Sequence, residues 1–215
     1  MRTRNFVPLL STLALSALLA GCGSSPPARF YTLQPPPQAA AAPEGRAGFQ
    51  IEIAPVTVPL QADQPQIMLQ GAGNGSLAPL YSERWSAPLA DEIGSALSDT
   101  LTRTLGALNV QTIRSADDTP VWRVQVDVQR FDMIEGGPAR LDATWRARPI
   151  NLKSARALVC RTAVEVPAEG GGIEALVRAQ QHAAALLAQT IASGIQAQGA
   201  RATPAGPQVR VIGCE

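Results

Sequence analysis

The chain has 215 residues, of which 46% are hydrophobic and 16% charged, enough for one domain with a single core. Its formal net charge is +1, and it contains no long run of Lys or Arg, which argues against a nucleic-acid-binding surface. We therefore expect no nucleic acid among its partners.

Residues 1–21 have the organisation of a bacterial signal peptide. Arg2 and Arg4 form a short positive region, and the apolar stretch 6–19 follows them. A membrane-spanning helix needs about 20 apolar residues, so this stretch is too short to span and is typical of a signal peptide. Removal of both arginines leaves 16 of the 18 basic residues against 17 acidic ones, a net charge of −1 for the mature chain.

Cys22 follows this segment in the sequence Leu19-Ala20-Gly21-Cys22, which matches the lipobox of bacterial lipoproteins. The pattern predicts cleavage before Cys22 and acylation of that cysteine, and several acyl chains on one residue anchor a protein firmly. Gly23, rather than Asp, comes next, which by the sorting behaviour of bacterial lipoproteins indicates the outer membrane. The sequence thus predicts a lipid-anchored outer-membrane protein that faces the periplasm.

Residues 22–48 are predicted to be the lipidated N-terminus and a tether rich in Pro and Ala. The run 34–48 has no hydrophobic periodicity, and its prolines favour extended backbone that would span roughly 45 Å at about 3.1 Å per residue. The stretch Phe30-Tyr31-Thr32-Leu33 just before it fits two alternatives. It is either a further part of the tether or a strand that docks on the domain.

The folded domain is predicted at 49–198, and it begins with a strand. That strand contains Ile51, Ile53, Val56 and Val58, and Pro59 ends it. Residues 61–80, rich in Gln, Gly and Pro, predict a long loop. A helix with Ser86 as its N-cap is then predicted from apolar residues at every fourth position. These residues are Leu89, Ile93, Leu97, Leu101, Leu105 and Leu108.

The second half of the domain reads as strands followed by a helix. A short strand is predicted at 110–113, and three alternating strands are centred on 122–128, 141–147 and 158–166. A second helix covers 173–195, and the tail 199–215 contains a candidate edge strand at 208–212. The pattern predicts an α+β fold, a two-layer sandwich in which two helices pack on one face of a mainly antiparallel sheet of about five strands.

The sequence offers no constellation for catalysis. His182 is the only histidine and lies in the middle of a predicted helix, and no group of residues has metal-ligand spacing. The glycines at 170–172 lack the Lys-Ser/Thr of a phosphate-binding loop, and no serine lies in a G-x-S-x-G turn. We therefore expect a protein that is not an enzyme and that holds no metal or cofactor; a lipid-hydrolysing enzyme is the least favoured alternative.

Once Cys22 is assigned to the lipid, two cysteines remain. Cys160 and Cys214 fit either a disulfide in an oxidising compartment or two separate thiols. On the loop-entropy model a bridge between them would contribute roughly 4 kcal/mol of stability.

Four stretches resemble the ABC-type transport auxiliary lipoproteins. They are "FYTL" (30–33), "IEIAPVTVPLQADQPQIMLQ" (51–70), "LYSERWSAPLADEI" (80–93) and "RLDATWRAR" (140–148). They occur in the order found in the family, and the resemblance covers most of residues 22–196. Two features depart from the family pattern: Gln64, where an Arg often precedes Pro-Gln, and the tail with Cys214.

The resemblance implies a non-catalytic accessory subunit of an MCE-type ABC transport system, which tethers or docks the periplasmic MCE-domain protein for lipid transport and envelope integrity. The partner surface implied by it consists of Tyr31, Tyr81, Arg84 and Trp85, with Pro59 and the loop 61–70 as weaker candidates. For Trp85 the alternative is a core anchor beneath the start of the helix. An assembly or structural lipoprotein that supports another outer-membrane complex is the alternative function, and a homo-oligomer stays open.

Overall fold

A computed structural model describes residues 26–34, 47–73, 75–113 and 116–215. The predicted signal peptide, Cys22 and most of the predicted tether lie outside the described residues. Within these ranges, none of the helices has the length and apolar character needed to cross a membrane.

Eight strands and two helices make up the described part of the chain. The strands are β1 (Arg29–Tyr31), β2 (Gln50–Ile53), β3 (Gln66–Gln70), β4 (Leu77–Trp85), β5 (Val121–Ile134), β6 (Pro138–Ile150), β7 (Leu158–Pro167) and β8 (Val209–Cys214). The helices are α1 (Leu89–Leu105) and α2 (Ile173–Gln196). All strands belong to one sheet in the order β1-β4-β3-β5-β6-β7-β8, and β2 pairs with β5 outside this path.

The long strand β5 organises the sheet, because two short strands share one of its edges. β2 runs parallel to β5 beside Val121–Val124, and β3 runs parallel to it beside Met133 and Ile134. On the other edge, β5, β6 and β7 form an antiparallel meander. The α+β prediction is confirmed, but the sheet has eight strands rather than about five. It is mixed and not purely antiparallel, because β1–β4, β2–β5 and β3–β5 are parallel pairs.

The hairpin β3–β4 corrects the predicted loop at 61–80. Strand β4 contains Pro79, which lies opposite Met68. A proline is tolerated there because β1 pairs only with Glu83–Trp85, so that, among the described residues, no strand pairs with the outer edge of β4 near Pro79. The side chains from Leu77 to Pro79 are all exposed, so the sequence shows no alternation from which the strand could be predicted.

Helix α1 is shorter than the apolar ladder suggested. Its N-cap is Pro88 without a side-chain cap, and Ser86 instead donates a hydrogen bond from its Oγ to Glu92 Oε1 at 2.5 Å. At the other end Gly106 adopts a left-handed conformation (φ 63°), which stops the helix. The predicted cap at Ser86 is therefore wrong, and Leu108 lies beyond the helix on the surface.

Two other predicted strands also change. The first is confined to β2, and Val56 is buried beyond its end. Residues 110–113 form no strand; one isolated bridge joins Ile51 to Asn109, and Ile113 is exposed. By contrast, the meander, the second helix and the late strand at 208–212 correspond to β5–β7, α2 and β8.

Both helices cover the same face of the sheet. α2 packs on β6 and β7, and α1 packs on α2 and β2, so that one apolar core lies between the layers. Trp145 is fully buried in this core and donates from Nε1 to Thr162 Oγ1 at 2.9 Å. At the far edge of the sheet, a disulfide between Cys160 and Cys214 joins β7 to β8.

Candidate functional site

Strand β1 adds three residues to the edge of the sheet beside the end of β4. The two strands are parallel, and Arg29, Phe30 and Tyr31 lie opposite Glu83, Arg84 and Trp85. The backbone continues this contact, since Ser86 N donates to Tyr31 O at 2.8 Å. Of the two alternatives for Phe30–Leu33, the structure therefore has the docking strand. We call residues 29–34 the N-terminal strap.

Glu83 fastens the first half of the strap. It accepts hydrogen bonds from Arg29 Nε at 3.0 Å and from the Tyr31 hydroxyl at 2.7 Å. Arg29 also forms an ion pair with Glu174 in the first turn of α2, at 2.7 Å. The strap is thus attached by side chains to both β4 and α2.

The electrostatics of this contact follow from its geometry. Burial would raise the pKa of Glu83, but the hydrogen bonds from Arg29 and Tyr31 outweigh burial and hold that pKa below its usual value. Burial raises the pKa of the Tyr31 phenol, and the hydrogen bond to Glu83 raises it further. Glu83 is therefore a carboxylate and Tyr31 a neutral donor near pH 7.

Glu92 fastens the second half of the strap. Its Oε2 accepts hydrogen bonds from Thr32 Oγ1 at 2.7 Å and from Leu33 N at 2.8 Å. Glu92 lies on α1 and is buried, and Leu33 is buried completely beside it. From α2, Gln181 Nε2 donates to Thr32 O at 2.9 Å. The strap therefore bridges one strand and both helices.

The outer side of this edge carries exposed aromatic side chains. Tyr81 on β4 is 72% exposed, and Phe30 on β1 is 65% exposed. The half-buried Arg84 lies opposite Phe30 and donates from Nε to Tyr81 O at 3.2 Å. We call Tyr81, Arg84 and Phe30, whose side chains are all accessible at this edge of the sheet, the aromatic edge.

Trp85 does not belong to that surface. Its side chain is only 5% exposed and packs edge-to-face against Phe131, with ring centroids 5.9 Å apart. The prediction of Trp85 as a partner contact is corrected to the alternative, a core anchor just before α1. Tyr31 is half-buried and its hydroxyl is bound to Glu83, so it holds the strap in place.

Three residues of the site did not emerge from the sequence reasoning, namely Phe30, Glu83 and Glu92. All three lie inside stretches that resemble the family. A weak signal existed for Glu92, an acidic residue directly beside the apolar ladder position Ile93. No local pattern marks Glu83 as buried, because its partners are 52 to 54 positions away.

The weaker candidates lie at a separate cleft of about 290 Å³. Pro59 and Gln61 line it from the loop, and Met68 and Gln70 line it from β3. On β5, burial raises the pKa of Asp132, which also lines this cleft. Its walls offer mixed polar and apolar contacts without a cluster of reactive groups.

The residues considered for catalysis or metal binding do not come together in the described part of the chain. His182 is exposed on α2. In the ranges that the structure covers, no three His, Cys, Asp or Glu side chains come together as metal ligands would.

Comparison with known proteins assigns a family and a fold. Residues 31–192 match the family described as ABC-type transport auxiliary lipoprotein component. No curated protein matches the chain in sequence. Among solved structures, an uncharacterized protein has a TM-score of 0.62 at 15% identity, covering 79% of this chain and 99% of its own. A Xanthomonas campestris protein of family DUF330 has a TM-score of 0.59 at 18% identity, covering 80% and 97%. At these identities the two structures show a common fold.

Proposed function

The chain belongs to the family of ABC-type transport auxiliary lipoprotein components, and on this premise we propose that it is a non-catalytic accessory subunit of an MCE-type ABC transport system. In this proposal the acylated Cys22 holds the protein in the outer membrane. The domain faces the periplasm and docks the MCE-domain protein of the transporter. Docking supports lipid transport between the membranes and the integrity of the envelope.

One observation carries the proposal: the N-terminal strap and the aromatic edge are parts of the same corner of the sheet. Phe30 belongs to β1, the first described strand after Cys22 in the chain. Tyr81 and Arg84 belong to β4, the strand with which β1 pairs. A partner bound at this corner would be held beside the membrane anchor. That coupling suits a protein whose work is to position another one.

The chemistry of the aromatic edge suits a protein partner. Exposed aromatic and arginine side chains are the types enriched where protein interfaces gain most of their affinity. Tyr81 presents a large apolar ring with a polar end, and Arg84 adds a planar cation beside it. We therefore place the docking contact on these two residues and Phe30.

The proposal is tested by co-purification with a co-encoded periplasmic MCE-domain protein. The double variant Tyr81→Ala/Arg84→Ala should lower recovery of the MCE-domain protein at least about tenfold, as expected for the loss of an interface hot spot. The matched control is Arg103→Ala/Leu108→Ala, which, like the test variant, removes a half-buried arginine and an exposed large side chain, here near the end of α1. Equal recovery with both variants would remove the aromatic edge from the proposal.

The proposed outer-membrane location is tested by a separate experiment. Fractionation of the two membranes should place the acylated chain in the outer membrane, and Gly23→Asp should shift it to the inner membrane. Cys22→Ala should abolish acylation. An MCE protein, a permease and an ATPase encoded beside this chain would favour the transport role, whereas their absence would favour an assembly or structural lipoprotein.

A further inference from the structure

The N-terminal strap is attached along the rim of the molecule, and among its side chains only Leu33 enters the core, with Tyr31 packed against that core. β1 pairs with β4 alone, through three residues. Arg29 and Phe30 are exposed, Tyr31 is half-buried, and Leu33 is the one fully buried side chain of residues 26–34. Release of the strap would expose one leucine, part of one tyrosine and the core side chains that these two cover. The pairing of β5, β6 and β7 with one another involves no strap residue.

The contacts that hold the strap are ones that water can replace. Glu83, Glu92 and Glu174 accept hydrogen bonds from the side chains of Arg29, Tyr31 and Thr32 and from the Leu33 amide. The Ser86 amide and Gln181 Nε2 donate to backbone oxygens of the strap. After release, Glu92 keeps its hydrogen bond from Ser86, and water can solvate the free oxygens of all three carboxylates. Opening the strap therefore leaves no buried charge without partners.

Release would change how far the domain stands from the membrane. From Cys22 to Arg29 the chain advances seven residues (29 − 22), at most about 23 Å when fully extended. The next attachment among the described residues is at Ala47, whose N donates to Gly106 O at 3.1 Å. From Cys22 to Ala47 it advances 25 residues (47 − 22), at most about 83 Å.

We infer that the N-terminal strap is a releasable latch that sets the reach of the domain from its membrane. With the strap docked, the domain lies close to the bilayer and the aromatic edge is held beside the anchor. With the strap released, the run 34–48 becomes part of the tether. The inference rests on the proposed anchor at Cys22, but it requires no particular partner.

Native-state hydrogen exchange tests the latch directly. The Leu33 amide, which donates to Glu92, should exchange through a local opening whose free energy is nearly independent of urea at low concentrations. Amides in the centre of β6 should exchange with the steep urea dependence of global unfolding. If the Leu33 amide shows the same urea dependence and opening free energy as β6, the strap opens only with the whole domain and the inference is overturned.

A second experiment uses energy transfer to measure how far the domain lies from the bilayer. Lys153 is the only lysine and is exposed just after β6, so an amine-reactive donor labels it specifically on the acylated chain. The mature chain is placed in phosphatidylcholine vesicles that contain an acceptor lipid. Leu33→Ala removes the buried side chain of the strap and should favour its release by on the order of a hundredfold. Energy transfer should then fall.

The matched control is Leu108→Ala, which truncates an exposed leucine outside the strap and should leave energy transfer unchanged. Equal transfer in Leu33→Ala and wild type, with the variant folded, would overturn the inference. Flotation of the same vesicles tests the anchor independently. Failure of the wild-type chain to float would contradict the proposed function, while the exchange experiment still decides whether the strap is a latch.

Discussion

At the scale of single residues, Glu92 determines where the N-terminal chain lies. It is a buried carboxylate whose hydrogen-bond donors come from the strap and from the segment before α1. A carboxylate is suited to this position because it accepts all three hydrogen bonds with a charged group. An amide accepts through one oxygen only and has to direct its NH₂ group to a hydroxyl. A neutral side chain of the same shape would therefore hold the strap less firmly than Glu92 does.

The variant Glu92→Gln tests this argument with almost no change in volume. One side-chain oxygen becomes an NH₂ group that can turn to the Ser86 hydroxyl, and the hydrogen bonds from the strap lose their charged acceptor. We therefore expect a loss of about 1–3 kcal/mol in the free energy of unfolding. Urea denaturation measures the loss. The control Asp99→Asn changes an exposed acid on the same helix and should cost far less. Equal losses would mean that the hydrogen bonds of Glu92 contribute nothing specific.

Glu83 makes the strap contact dependent on pH. Its pKa is lowered in the folded protein by Arg29 and Tyr31 against the effect of burial. The stabilisation is therefore complete above the ordinary glutamate pKa, near 4.5, and is lost as the pH falls through the lower folded value. We expect the stability difference between wild type and Glu83→Gln to be present at pH 7 and to shrink below about pH 4.

Urea denaturation of both proteins across this range measures that difference. Asp132, whose pKa is raised by burial, titrates in both proteins, so its opposite contribution cancels. A difference that grows on acidification would contradict the assignment of Glu83 as a stabilising carboxylate.

At the scale of elements, a strand could be predicted from the sequence when its side chains alternate regularly between buried and exposed positions. Strands β5–β7 alternate because one face lies under the helices and the other is open, and the sequence shows that period directly. Strands β1 and β3 are too short to show a period, and β4 contains Pro79 and exposed positions. Their place is fixed by partners far away in the chain, such as the pairing of Tyr31 with Trp85.

Strand β8 depends on its disulfide more than on burial. Val209 is its one buried residue, and Cys214 at its end is bonded to Cys160 on β7. The bridge closes a loop of 54 positions, which on the chain-entropy model contributes about 4 kcal/mol as an upper value. The double variant Cys160→Ala/Cys214→Ala should lose up to that amount.

Hydrogen exchange should show that loss concentrated in one strand. Amides of residues 210–213 should exchange faster in the double variant, while those of β5 and β6 follow the global change in stability. A reducing agent should reproduce the effect in wild type and have none in the variant. Unchanged exchange in β8 would show that its backbone pairing with β7 suffices.

At the scale of the whole molecule, the family match agrees with the lipoprotein that the lipobox pattern predicts. The outer-membrane address and the acylation of Cys22 stay predictions, and they rest on patterns that are local in the sequence. Only some of the residues predicted to contact a partner are accessible. Tyr81 and Arg84 are accessible, but Trp85 is buried, since its exposure depends on where β5 brings Phe131. The predicted tether also changes: Arg29–Tyr31 dock on the sheet, and Leu33 and Ala47 are both bonded to the domain, so the chain between these two residues joins two fixed points of the domain.

Two insertions of equal length test this arrangement. Eight Gly/Ser residues placed after Ser25 lengthen the link between Cys22 and the sheet by up to about 26 Å of extended chain. The same insertion after Ala42 lengthens a connection whose two ends are both fixed, at Leu33 and at Ala47. Energy transfer from Lys153 to the bilayer should therefore fall only with the first insertion. Equal falls would mean that the strap is undocked at rest. In the Leu33→Ala background the second insertion should lower energy transfer as well, because release of the strap makes that connection part of the tether.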